Sequence, residues 1–208
     1  MAQPLGYLKE SPSQTAGPYV HIGTNPNWVE ITGVWQEDLG LVLVGPEATG
    51  ERIVLEGRIL DGGGSPVRDA LVEIWQADAA GLYNAPSETR GKADPHFSGW
   101  GRQPISEADG AFRFETVRPG RVPFPDGRLQ APHVTFWIVA RGINLGLHTR
   151  AYLGDEAEAN AQDPLLLRIA EPARRATLVA ARSDRDGIAV FTFDIRLQGE
   201  GETVFLDM

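Results

Sequence analysis

The chain holds four histidines (His21, His96, His133, His148), four tyrosines (Tyr7, Tyr19, Tyr83, Tyr152) and no cysteine. Those counts bound its chemistry. Without thiolates there is no disulfide, no cysteine-ligated zinc, no iron–sulfur cluster and no cysteine nucleophile. A metal site would have to be built from imidazole, phenolate and carboxylate, which suit hard or borderline ions. No phosphate-binding glycine loop, HExxH or GxSxG pattern is present. Gly62, Gly63 and Gly64 stand between strand-like runs and read as a turn, not a phosphate site. His21 and His148 have no carboxylate or histidine at ligand spacing and read as structural.

The elements that must carry such residues follow from composition. Among 208 residues, 24 glycines and 15 prolines make up nearly a fifth of the chain, against roughly 12% in an average protein. With 42% hydrophobic residues this is not disorder but short strands joined by tight turns. The expected fold is mainly β: a β-sandwich core with long loops, an ordered N-terminal arm and one or two short helices. The net charge of −9 leaves no electrostatic footprint for nucleic acid or an anionic membrane. No apolar run approaches the roughly 18 residues of a membrane helix. Residues 1–10 show no basic-then-apolar export signal, so a cytoplasmic protein is expected.

Along the chain, residues 1–50 are expected to be an arm. They are loop-rich, yet Tyr19, Ile22, Trp28, Ile31, Val34 and Trp35 are too apolar for a free tail. The arm should pack on its own core and on a partner, and residues 51–208 should form the sandwich. Ile53, Leu55, Gly57 and Ile59 alternate with their neighbours, Asp61-Gly62-Gly63-Gly64 signals a turn, and Ala70, Val72 and Ile74 alternate again. That pattern predicts a hairpin. Residues 77–104 read as one long irregular connection, of the kind often functional. Further strands are expected around Phe112–Thr116, Val134–Ala140, Leu145–Ala151 and 190–197, with a terminal edge strand at 203–206. Helices are expected over 155–162 and 172–182, the second with Pro172 at its first position. Trp75 reads as core, and Arg174-Arg175 as the solvated face of a helix.

The run Val67-Arg68-Asp69-Ala70-Leu71-Val72-Glu73-Ile74-Trp75-Gln76-Ala77-Asp78-Ala79-Ala80-Gly81-Leu82-Tyr83 resembles the hallmark of intradiol ring-cleavage dioxygenases, β-sandwich enzymes that open catechols with O2. Three further stretches extend the likeness over nearly the whole chain. They are Ser11–Gly23, Ala140-Arg141-Gly142-Ile143-Asn144 with His148-Thr149-Arg150, and Arg196–Thr203. They narrow it to alpha-type chains in the branch that cleaves 3,4-dihydroxybenzoate and pairs an alpha chain with a homologous beta chain. The family holds a ferric ion with two tyrosines and two histidines.

Carried over residue by residue, the resemblance places the first tyrosine at Tyr83. The second falls in Pro119-Gly120-Arg121-Val122-Pro123-Phe124, where Val122 takes its place. The histidine segment reads Gln130-Ala131-Pro132-His133-Val134-Thr135-Phe136: His133 matches the first ligand, Thr135 replaces the second, and Gln130 stands at an arginine position. A Tyr and a His alone do not make a ferric site. The resemblance therefore implies no catalytic residue and no metal ligand in this chain, with Fe3+ (non-haem) held by the beta subunit. For this chain it implies a hetero-oligomer of alpha–beta pairs and a pocket wall formed by Thr15, Gly17, Pro18, Tyr19 and Arg141. Arg141 would face the carboxylate of a small aromatic acid. On their own residues these assignments stay open. An arginine after a strand is ordinarily solvated or ion-paired, Tyr83 and His133 read as structural, and a binding module or a purely structural subunit with a vestigial pocket fits too.

Overall fold

A computed structural model describes residues 15–17, 19–105 and 108–207. Among them nine strands carry the fold. They are β1 (Arg52–Leu60), β2 (Leu71–Trp75), β3 (Trp100–Pro104), β4 (Ala111–Val117), β5 (His133–Val139), β6 (Leu147–Leu153), β7 (Val179–Arg185), β8 (Ile188–Thr192) and β9 (Ile195–Arg196). The helices are short: α1 (Val20–Thr24), α2 (Ala157–Gln162), α3 (Pro172–Ala176) and one 3-10 turn, Leu166–Arg168.

The strands run in the order β3-β2-β5-β6-β7-β8-β1-β4, with β9 beside β1. Only Tyr152↔Val179 and Leu153↔Ala180 join β6 to β7, and there the path folds back on itself. Period-two alternation then turns one face of each half inward. Ile53, Leu55, Phe112 and Phe191 meet Val72, Ile74, Phe136 and Ile138 in one core. Phe136 spans the layers, 5.5 Å from Phe112 and 5.3 Å from Phe193. The fold is the expected mainly-β sandwich with short helices.

Several local expectations need correction. The turn after β1 forms: Asp61 Oδ1 accepts the amides of Gly63 and Ser65 at 2.9 and 2.8 Å. The hairpin does not continue, because β1 is already paired with β4 on one edge and with β8 and β9 on the other. β2 therefore crosses to the opposite layer and pairs with β3 and β5. The connection expected over 77–104 ends early, since Trp100-Gly101-Arg102-Gln103-Pro104 forms β3, a strand with no apolar alternation to announce it. The helix at Pro172 stops at Ala176. The residues from Val179 become β7, held by a hairpin to β8 across Asp186 and Gly187, both at positive φ. The strand expected over 190–197 starts at Ile188 and breaks at Phe193-Asp194 into β8 and β9. Residues 203–206 form no ladder. They run extended, with the Thr203 amide on the Arg196 carbonyl (3.0 Å) and the Leu206 amide on that of His148 (2.8 Å).

Candidate functional site

Two places gather the residues singled out by sequence. The first is built on the turn after β2. Asp78, buried, accepts the amides of Ala80 and Leu82 at 2.9 Å through one oxygen and that of Asp94 at 2.9 Å through the other. Gly81 closes the turn at φ +79°, where a Cβ would lie 2.3 Å from the Arg121 carbonyl oxygen. This explains the Asp-x-x-Gly spacing that precedes Tyr83. Tyr83 stacks on Trp75, with ring centroids 5.8 Å apart and planes 7° off parallel. Trp75 is thus not core: it is half-buried and lines a cavity of about 400 Å³ with Tyr83, Val122, Pro123, Glu88 and Arg90.

Burial pushes the Tyr83 hydroxyl above its ordinary pKa, opposed by the charges of Arg150 and Arg90. Near neutral pH it is a phenol rather than a phenolate. His133 opens β5 and is buried. Its Nδ1 lies 2.8 Å from the Ala131 carbonyl oxygen, so the proton sits on Nδ1. Burial, then the Arg150 charge, push its pKa down to about 4, so the ring is neutral. Thr135 sits directly opposite Arg150 across β5 and β6. The Arg150 guanidinium donates to Gln130 Oε1 at 2.7 Å, and the Gln130 backbone amide donates to the Val122 carbonyl at 2.9 Å.

These residues do not fit a ferric ion. Of the four positions, one offers a hydrocarbon (Val122) and one a neutral hydroxyl (Thr135), which leaves only Tyr83 and His133 as strong donors. Among the described residues no three His, Cys, Asp or Glu side chains converge on a metal position.

The second place surrounds Arg141. The Thr15 hydroxyl donates to the Ala140 carbonyl at 2.9 Å and accepts from the Gly142 amide at 3.0 Å, which ties the arm to the turn carrying Arg141. Arg141 points outward, its side chain 70% exposed, with Nε 3.3 Å from Asp69 Oδ2. With Asp61, Ile143, Asn144 and Leu145 it lines an open depression of about 520 Å³. Gly17 accepts the Val20 amide at 3.1 Å, and Tyr19 is 77% exposed. Pro18 lies outside the described residues. The structure thus joins Thr15 to Arg141 and keeps Tyr83 in the other cavity, with His133 buried.

A family model described as "Dioxygenase" matches residues 24–199. The chain is 45% identical over 206 residues to the protocatechuate 3,4-dioxygenase alpha chain of Pseudomonas putida, spanning 98% of this chain and 99% of that one. This chain belongs to the intradiol dioxygenases. It is also 37% identical to the protocatechuate 3,4-dioxygenase beta chain of Burkholderia cepacia, over 76% of this chain and 68% of that one. Among solved structures, the dioxygenase domain of a carbohydrate-binding fusion protein from Streptomyces sp. SirexAA-E superposes with a TM-score of 0.57 at 25% identity. That match covers 76% of this chain and 87% of that one.

Intradiol dioxygenases are iron-dependent enzymes. Arg150, opposite Thr135 across β5 and β6, is a residue that sequence reasoning missed. It lay inside a stretch that marked the resemblance, but its role depends on strand register with Thr135. The register could have been drawn once both strands were identified.

Proposed function

We propose that this chain is the alpha subunit of a protocatechuate 3,4-dioxygenase, which completes the substrate pocket at its interface with a homologous beta subunit that holds the ferric ion. The heteromer would cleave 3,4-dihydroxybenzoate with O2 between the two hydroxyl-bearing carbons, giving 3-carboxy-cis,cis-muconate. The observation that carries the reading is the loss of donors at Val122 and Thr135 in a chain otherwise alike, end to end, to an alpha chain. A pocket that cannot hold the metal leaves the chain the work of binding and assembly.

In this reading Arg141 receives the ring carboxylate, which is ionised at pH 7. A guanidinium offers it a charge-assisted, geometrically matched pair. Arg141 is exposed in the single chain, and a partner seated over it would desolvate the pair. Thr15, fixed by two hydrogen bonds, holds the arm against that turn, so that Gly17, Pro18 and Tyr19 wall the pocket. The arm expected over residues 1–50, of which 1–14 and 18 lie outside the described residues, would pack on both the sandwich and the beta subunit. A cytoplasmic location belongs to the same proposal; among the described residues no helix is long and apolar enough to cross a membrane.

The test is Arg141→Ala in the assembled alpha–beta complex. Loss of a charge-assisted contact of about 1.5–3 kcal/mol should lower kcat/KM for 3,4-dihydroxybenzoate by about 10- to 100-fold. Catechol, which lacks the carboxylate, should be affected little. Unchanged kinetics with the carboxylated substrate would show that this chain is structural.

A further inference from the structure

We propose that Arg150 is a built-in cation beside the vestigial metal position of this chain and that it keeps metal out. The inference rests on the proposed correspondence of Tyr83, Val122, His133 and Thr135 to the family's ligand positions, and does not depend on Arg141.

Each of the four positions leads to Arg150. Thr135 faces it directly across the β5–β6 pair. Val122 is joined to it through Gln130, whose side-chain oxygen accepts from the guanidinium and whose backbone amide donates to the Val122 carbonyl. The Arg150 charge bears on both remaining positions, Tyr83 and His133, and it lies against the Tyr152 hydroxyl as well. Its Nε is buried without a hydrogen-bond partner. Among the described residues no carboxylate pairs with it. Instead it faces Thr135 across the strand pair and donates to the neutral Gln130 side chain.

Guanidinium stays charged under all ordinary conditions, and its repulsion of a cation acts at short range in a poorly solvated site. Restoring the missing ligands alone should therefore not restore the metal.

The experiment compares iron content and visible charge-transfer absorbance per alpha–beta pair in the assembled complex. Three forms are measured: unmodified, Val122→Tyr/Thr135→His, and the same pair with Arg150→Gln. We expect the two-residue variant to match the unmodified complex. The three-residue variant should gain about one further ferric ion per pair, with a matching rise in absorbance. Extra iron in the two-residue variant overturns the proposal, and so does no extra iron in a folded, assembled three-residue variant. If the tyrosine is too large for the buried Val122 site, Thr135→His is compared with Thr135→His/Arg150→Gln, which leaves Val122 unchanged and offers three donors; the same outcomes decide. A second iron already present in the unmodified complex would overturn the reading of this chain as metal-free and the role of Arg150 with it. A changed Arg141 result alone would leave this one standing.

Discussion

His133 shows how position decides what a residue type can do. Its identity matches a ligand, but it sits buried on the Ala131 carbonyl with a pKa near 4, against an unfolded value near 6.5. The folded state therefore resists protonation. Stability from this group is complete above pH 6.5 and declines as pH falls, because the unfolded chain takes up the proton first. The loss should reach about 3 kcal/mol by pH 4 and then level off. Urea denaturation at a series of pH values should show that slope, and His133→Gln should flatten it between pH 6.5 and 4. A slope that survives the substitution would place the titrating group elsewhere. The matching of Tyr83 and His133 to ligand positions came from the family resemblance; on residue type and spacing alone both read as structural. Their protonation states were not legible in the sequence, because these depend on burial and on Arg150, which lies 67 residues from Tyr83 in the chain.

At the scale of elements, β1 organises its layer. It pairs with β4 over Arg52–Arg58 and, on its other edge, with β8 and then β9. Between those two partners the chain jogs at Phe193-Asp194. The Phe193 amide donates to the Glu56 carbonyl at 2.8 Å, and the Arg58 amide donates to Asp194 Oδ1 at 3.0 Å. Gly57 faces this jog, and a Cβ there would fall 1.9 Å from the Phe193 carbonyl oxygen and 2.9 Å from the Phe112 ring. Since backbone and a core ring both stand in the way, Gly57→Ala should cost about 3 kcal/mol or more. Gly23→Ala in α1 meets nothing within 4 Å and should change stability by less than about 1 kcal/mol, favourably if at all. Thermal melts of the two variants check the contrast; equal effects would mean that the jog yields. The sequence announced β1, β4, β5 and β6 through period-two alternation. It did not reveal their partners, because a turn signal such as Asp61–Gly64 specifies four residues and not which edges remain free. β3 was hidden for a different reason. Gly101 packs against Leu43 from the arm, so its burial comes from a remote segment and leaves no local pattern.

The whole molecule divides into a closed sandwich and an apolar strip outside it. Residues 40–45 run along β3: the Gly40 carbonyl accepts the Arg102 amide at 2.9 Å, and that of Leu43 accepts the Ser98 amide at 2.9 Å. Leu43 enters the core. The neighbouring residues do the opposite. Val42 is 67% exposed and Val34 55%, with Trp28, Trp35, Leu39 and Leu41 also exposed. Isolated exposed apolar residues are ordinary, but a cluster in one segment marks a surface that a partner covers. Composition alone pointed to that need, since the arm was too apolar for a free tail, while the division between inward Leu43 and outward Val42 required the fold. If the beta subunit covers this strip, a charge placed there would be buried without a partner on assembly. Val34→Glu/Val42→Glu should then weaken alpha–beta association by about 2–4 kcal/mol. The isolated chain should lose little stability, because both side chains are already in water. Sedimentation of mixed chains over a dilution series measures the first effect, and a thermal melt of the isolated chain the second. Association that withstands both glutamates would move the interface off the arm. It would then leave Thr15 and the turn carrying Arg141, at the opposite end of the described arm segment, as the remaining route by which this chain reaches the shared pocket.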